Sequence, residues 1–276
     1  MIGGGMGLWN SIRRWLDTRL PAQTESEVSP SVTRPEPNTS AFPYPLVTVP
    51  GDQALSTWRR LLREGAGWPV VLGGDEDLQM IVDGLLEIDS RSPEEILAAA
   101  DRLTFPQSLA ERRAEDDRRA REWLAANGDD TEFDEAQEPP LGEWPDEGGA
   151  IGFTIATEVL TGKPIDEVHI AILPCDNGWQ AIAYLRWGGW NENPHAEYHV
   201  AALRSWHERF GAELVGASHD VINLHVATRP ATREAALTLA REQYLYCADV
   251  VDQGTETLSA LAAALMDDDW WYFWWD

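Results

Sequence analysis

The sequence predicts an α+β protein: a mostly antiparallel sheet with helices packed on its faces, and a C-terminal aromatic strand buried in the sheet. Three observations carry this expectation. Residues 270–276 read WWYFWWD, six aromatics followed by one carboxylate. Upstream, pairs of β-rich segments are separated by turn signals such as Asn177-Gly178 and His219-Asp220. Between them, three segments after residue 190 carry apolar side chains at helical spacing.

Leu8, Trp9, Ile12, Trp15, Leu16 and Leu20 recur at that spacing with Arg13, Arg14 and Arg19 among them, so residues 1–20 read as an amphipathic N-terminal helix. Such a helix packs on the body of the protein or lies on a membrane surface. Residues 21–45 turn to Pro, Ser, Thr and Glu, cannot bury enough apolar surface to order, and read as a disordered linker.

Residues 46–126 read as a strand–helix–strand unit followed by helices. Leu46 to Val49 is a short β-rich run closed by Pro50-Gly51. Asp52 to Glu64 places Leu55, Trp58, Leu61 and Leu62 on one stripe, and Gly65 and Gly67 end it. Pro69 to Leu72 is a strand of the buried type, with Asp75 in position to cap the next helix. A unit of this length predicts a parallel strand pair. GWPVVLGGDED lacks the phosphate-loop lysine and sets three acids where a phosphate would sit, which excludes that motif. Helices follow, Pro93 to Leu103 and then ERRAEDDRRAREWL, whose alternating signs read as a solvated face. Residues 127–150 form an acidic loop without the calcium-loop spacing.

Residues 151–276 read as a C-terminal α+β domain of about five strands, ordered ββαββααβ. VHIAILPC and WQAIAYLRW pair across Asn177-Gly178, the strongest short hairpin signal. Pro194 to Phe210 is a helix with His199, Ala202, Leu203, Trp206 and Phe210 on one face, stopped by Gly211. AELVGAS and DVINLHVA form a second hairpin. Thr232 caps a helix running to about Tyr246, and Thr255 caps another with Leu258, Leu261, Ala262 and Leu265 in its stripe. In the last strand Trp270, Tyr272 and Trp274 take one face, and Trp271, Phe273 and Trp275 the other. Both faces are apolar, the mark of a strand covered on both sides.

Forty-seven acidic against 21 basic residues give a net charge of −26. Residues 1–45 are neutral, while 46–126, 127–150 and 151–276 carry −6, −9 and −11. No segment is basic, so the electrostatic footprint of nucleic-acid binding is missing. An acidic surface suits a basic protein partner, a cation, or solubility alone. Cys175 and Cys247 are too few for a disulfide scaffold. With no apolar secretory segment and no apolar run near ~20 residues, a cytoplasmic location is expected.

Three separated, tryptophan-rich signatures occur in order: WGGWNENPHAEYHVAALRSWHERFGAELV, LAREQYLYCADVVDQGTETLSALAAAL and WYFWWD. Over about residues 168–276 the chain thereby resembles a bacterial family catalogued as domain of unknown function 4253. YPLVTVPG and GWPVVLGGDEDL also resemble upstream segments of such proteins. The resemblance implies a shared domain and supplies no activity.

The candidate binding site gathers in these signatures. WGGWNENPH is a Gly-rich loop carrying Trp187, Trp190, Asn191, Asn193 and His195, with Asp252 and Gln253 in the second signature. The same loop also reads as structural, with Gly188-Gly189 making the turn and Asn191 or Asn193 capping the helix. His195 and His199, four apart, share a helix face and with Cys247 form an alternative zinc site. His199 also continues an apolar stripe, which favours a hydrogen-bonded core histidine. Cys247 lies at a helix C-terminus, where the dipole raises a thiol's pKa. The anions of Asp276 call for Arg186, Arg204 or solvent. The function expected is a non-catalytic binding or interaction module without a cofactor, one form of which neutralises a basic protein. The alternative is a metal-dependent or Cys/His hydrolase centred on His195, His199 and the Cys247–Asp252 segment.

Overall fold

The computed structural model describes residues 41–87, 89–127, 139–146, 148–158 and 161–275. The expected helix at 1–20, nearly all of the linker, half of the acidic loop and Asp276 lie outside the described residues.

Leu46–Val49 forms β1 at the expected bounds, followed by one 3-10 turn and α1 (Ala54–Glu64). Gly65 ends α1 in the left-handed region at φ 70°, which a Cβ would disfavour. β2 (Trp68–Gly73) is buried along its length, as its unbroken apolar run requires. In α2 (Asp75–Glu87) Asp75 does not cap. Asp77 accepts the Gly74 N–H at 3.0 Å, and Asp75 reaches His169 Nε2 at 2.7 Å. A Ser92–Glu95 capping box starts α3 (Pro93–Ala100), which stops three residues short of the expected Leu103. α4 (Gln107–Ala126) carries i,i+4 pairs such as Arg112–Asp116 and Arg119–Glu115.

β3 (Val168–Leu173) lies between β1 and β2 and runs antiparallel to both. The two N-terminal strands therefore point the same way, as expected, but are separated by β3 instead of touching. β2 then meets β4 (Glu213–Ala217) in the parallel sense, β4 pairs with β5 (Val221–His225), and β5 with β6 (Trp270–Trp274). The described strands thus make one sheet in the order β1-β3-β2-β4-β5-β6, and the N-terminal unit extends the sheet of the C-terminal strands.

One expected strand is a helix. Gly178–Leu185 forms α5, because Gln180 Oε1 accepts the N–H groups of Asp176 and Asn177 at 3.3 and 3.1 Å and starts a helical turn. Gly178 sits where a Cβ would meet the Trp68 ring and the Leu214 nitrogen at 2.8 Å, so it serves close packing and not a hairpin. The C-terminal order is accordingly βααββααβ, with four strands. α6 (Ala196–Phe210) ends at Gly211 as expected, but His195 occupies its N-cap in place of either asparagine. Thr232 caps α7 (Arg233–Tyr246) by accepting the Ala235 N–H at 3.2 Å. A π-helical turn (Val250–Thr255) leads into α8 (Leu258–Asp267). Thr257 caps α8, while Thr255 donates its hydroxyl to Val250 O.

The aromatic ribbon forms the sheet's edge and is nevertheless covered on both faces. Across β5–β6, Ile222 lies opposite Phe273 and Leu224 opposite Trp271. This face meets α6 and α7: Phe273 stacks on Trp206 with centroids 5.5 Å apart and meets the edge of Tyr246 at 5.0 Å. On the other face Asn223 lies opposite Tyr272, and residues 151–155 cross over it. There Asn223 Oδ1 accepts the N–H groups of Thr154 and Ile155, both at 3.1 Å, and Phe153 packs on Trp270. Each fully buried aromatic contributes ~5 kcal/mol gross, from ~200 Å² at ~25 cal/mol per Å². No described helix is long and apolar enough to cross a membrane.

Candidate functional site

The loop after α5 owes its shape to two glycines. Gly188 and Gly189 have φ of 108° and 89°, and a Cβ on Gly188 would lie 2.2 Å from Pro194 O and 2.7 Å from the His199 ring. Trp187 is buried at the loop's root, with its indole N–H donating to Ser218 O at 2.6 Å.

Behind this loop stands His199 of α6, which is wholly buried. Trp187, Tyr246 and Trp275 surround its ring at centroid distances of 4.9, 5.2 and 5.4 Å. Burial lowers its pKa to about 3, so the ring is neutral. Burial likewise raises the Tyr246 pKa, which keeps the phenol protonated. The tautomer follows from the partners: Tyr246 donates to Nδ1 at 2.6 Å, and Nε2–H donates to Asn193 Oδ1 at 2.7 Å. This Tyr246–His199–Asn193 chain ties the loop to the aromatic core.

The loop forms one wall of a cleft of about 1160 Å³. α4 forms the opposite wall, and the C-terminal end of α7 closes the side. Asn191, Asn193, His195 and Asp252 line this cleft together. Trp187 and Trp190 instead line a separate cavity of about 190 Å³ beside Met80 and His219. Gln253 does not line the large cleft; its amide donates to Asp249 at 2.6 Å.

Arg113, Tyr198 and Tyr244 also line the cleft, and no sequence signal marks them. The alternating charge run puts Arg113 on a solvated helix face, yet its Nη2 donates to Tyr246 O at 3.3 Å and its Nε is buried without a partner. Tyr198 and Tyr244 supply aromatic walls. Tyr244 donates to Asp252 at 3.3 Å; burial first, then the neighbouring Glu192 charge, raises the Asp252 pKa.

The structure does not gather the ligand atoms of the zinc alternative. Both ring nitrogens of His199 are taken inside the core, and His195 is exposed at the helix end. Cys247 is fully buried, its Sγ 2.9 Å from Trp274 O, and burial pushes its pKa up to about 12. Cys175 is also buried and also pushed to about 12. Arg186 and Arg204, proposed partners for the C-terminal anions, bind Leu85 O and Asp101 respectively.

Among the described residues, three metal-capable side chains converge elsewhere: the ligand atoms of Asp77, His219 and Asp220 all lie within 4.8 Å of one another. No local signal joins them, since the β4–β5 turn meets the first turn of α2 only in the folded chain. His219 Nδ1 lies 2.6 Å from Asp77 and Nε2 3.5 Å from Asp220, and the bond to Asp77 raises the His219 pKa. The folded pKa is above the unfolded ~6.5, so the stabilisation is complete below pH ~6.5 and disappears as pH rises through the folded value. His219→Gln is expected to lower Tm at pH 5.5 and leave it unchanged at pH 9. With His219 39% exposed, the loss stays below about 1 kcal/mol. Equal losses at both pH values in thermal melts would count against the ion pair.

Residues 169–276 match the family described as Domain of unknown function (DUF4253), the family that the three tryptophan-rich signatures resemble. The match runs from β3 to β6 and takes in the glycine loop, α6 and Asp252, but not the α4 wall. No curated protein and no solved structure gives a significant match.

Proposed function

We propose that this chain is a non-catalytic binding module, that the cleft between α4 and the Gly189–His195 loop is its recognition element, and that its partner is a basic protein segment. One observation carries the reading. Cys247, the nucleophile of the hydrolase alternative, and His199, one of its two histidines, are sealed in the core in neutral form, which leaves the exposed His195 without a thiol beside it. A histidine with a pKa of about 3 is a poor general base at neutral pH, and a thiol near 12 supplies almost no thiolate. Their hydrogen bonds fix Asn193 and the strand end instead, which gives the cleft a rigid wall.

Charge selects the partner class. The chain carries −26, and Asp117, Glu192 and Asp252 face the cleft. A lysine or arginine beside Glu192 and Asp252 relieves their mutual repulsion.

The test sets turnover against labelling. Purified protein is offered a panel of chromogenic esters and anilides, and separately iodoacetamide at pH 8. The expected result is no turnover that depends on Cys247, and alkylation at least 100-fold slower in the folded than in the unfolded protein. Hydrolysis that disappears in Cys247→Ser or His199→Gln, while both variants remain folded, would overturn the proposal in favour of a hydrolase.

A further inference from the structure

We infer that the floor of the cleft binds a carboxylate, namely the free C-terminal end of a basic peptide segment; this deepens the proposed binding role and rests on it. Two buried donors there lack acceptors. Asn193 is 4% exposed, its oxygen is committed to His199, and its Nδ2 has no partner. Arg113 Nε is likewise buried and unpaired, although its Nη2 is anchored on Tyr246 O. A buried N–H left unpaired costs about 1–3 kcal/mol, so both groups favour an incoming acceptor. Both belong to residues that line the same cleft.

The backbone adds to the attraction. α6 has 15 residues and begins at this wall, and its N-cap His195 supplies no side-chain acceptor to the first turn. The positive end of the helix dipole thus lies beside the cleft without a side-chain cap, although Glu197 of the first turn, paired with Arg91, offsets part of it.

A carboxylate fits these donors better than a phosphate does. It carries a single negative charge and two acceptor oxygens. A phosphate dianion would bring twice the charge up to Asp117, Glu192 and Asp252. Those acids in turn favour cationic side chains a short distance from the anion. The tyrosine walls and the volume, above the ~300–1,000 Å³ of ordinary small-molecule sites, suit several residues of extended chain. A peptide ending in basic residues and a free carboxylate carries all of these features.

The net charge makes the test sharp. A chain at −26 attracts an amidated lysine-rich peptide more strongly than the same peptide with a free carboxylate, unless a local donor site reverses the order. Fluorescein-labelled peptides of the form Gly-Lys-Gly-Lys-Lys, as the acid and as the amide, are titrated with the whole chain by anisotropy at low salt. The acid is expected to bind at least tenfold tighter. Arg113→Gln and Asn193→Asp, the latter keeping the acceptor for His199, are each expected to erase that preference, read as the ratio of acid to amide affinity in protein that circular dichroism shows to be folded. Equal binding of both peptides, tighter binding of the amide, or a preference that survives both substitutions overturns the carboxylate site. If both peptides bind equally and Glu192→Gln with Asp252→Asn weakens both, the carboxylate inference fails while a cation-binding cleft stands. If neither binds, the carboxylate inference fails, and the Cys247-dependent turnover assay separately decides the non-catalytic reading.

Discussion

Phe273→Ala is expected to destabilise the protein by about 3–5 kcal/mol, the usual cost of emptying a fully buried aromatic position. Phe273 is 0% exposed and stacks on Trp206, itself 0% exposed, with only 4° between the ring planes. Tyr246 and Trp275 complete its surroundings, so the vacated volume has rigid rings on several sides and little freedom to collapse. Tyr272, the preceding residue, faces the cover formed by residues 151–155 and is only partly buried. Tyr272→Ala should therefore cost less than half as much. Denaturant melts of the two variants check the face assignment. Comparable losses, or a Phe273→Ala loss below about 1 kcal/mol, would show that the ribbon's inner face is not a load of packed aromatics.

The second large effect is an acid-side loss of stability set by His199. Its folded pKa of about 3 lies far below the unfolded ~6.5, so between these values the unfolded chain binds the extra proton. Stability from this residue is complete above pH ~6.5 and falls by about 1.4 kcal/mol per unit as pH drops toward 3. His225 shifts in the same direction, while raised carboxyls such as Glu213 and Asp220 oppose it. Comparison with His199→Gln isolates the term. The variant loses about 1–3 kcal/mol at pH 7, from disturbed hydrogen bonds to Tyr246 and Asn193, yet its stability declines less steeply between pH 6.5 and 4. Parallel stability curves for the two proteins would mean that His199 titrates normally in the fold.

What the sequence made legible was local. Gly65 and Gly211 end helices, Thr232 caps one, and the β4–β5 hairpin turns at His219-Asp220, because each signal acts within a few residues. Gly178–Leu185 misleads because it is a short, mostly apolar run with five of its eight residues buried, and such a run fits a strand as well as a helix. Thr255 and Thr257 stand two apart, and only the path of the π-helical turn decides between them. At the cleft, Asn191, Asn193, His195 and Asp252 were readable as polar groups in distinctive loops. The histidine's role was half readable: its apolar stripe pointed to the core, but Tyr246, 47 residues away, gave no sign of being its partner. Arg113 was hidden by its neighbours, since one arginine in an alternating charge run looks like all the others.

The strand order has a consequence for dissecting the molecule. β3 and β4 are successive strands of the matched segment, yet in space β2 is inserted between them. A fragment spanning only 169–276 would leave a vacant lane in mid-sheet, with both edges of β3 and one edge of β4 stripped bare. The shortest excerpt that keeps every described strand partnered starts at Leu46, and β2 is the natural piece to supply in trans as a complementing peptide.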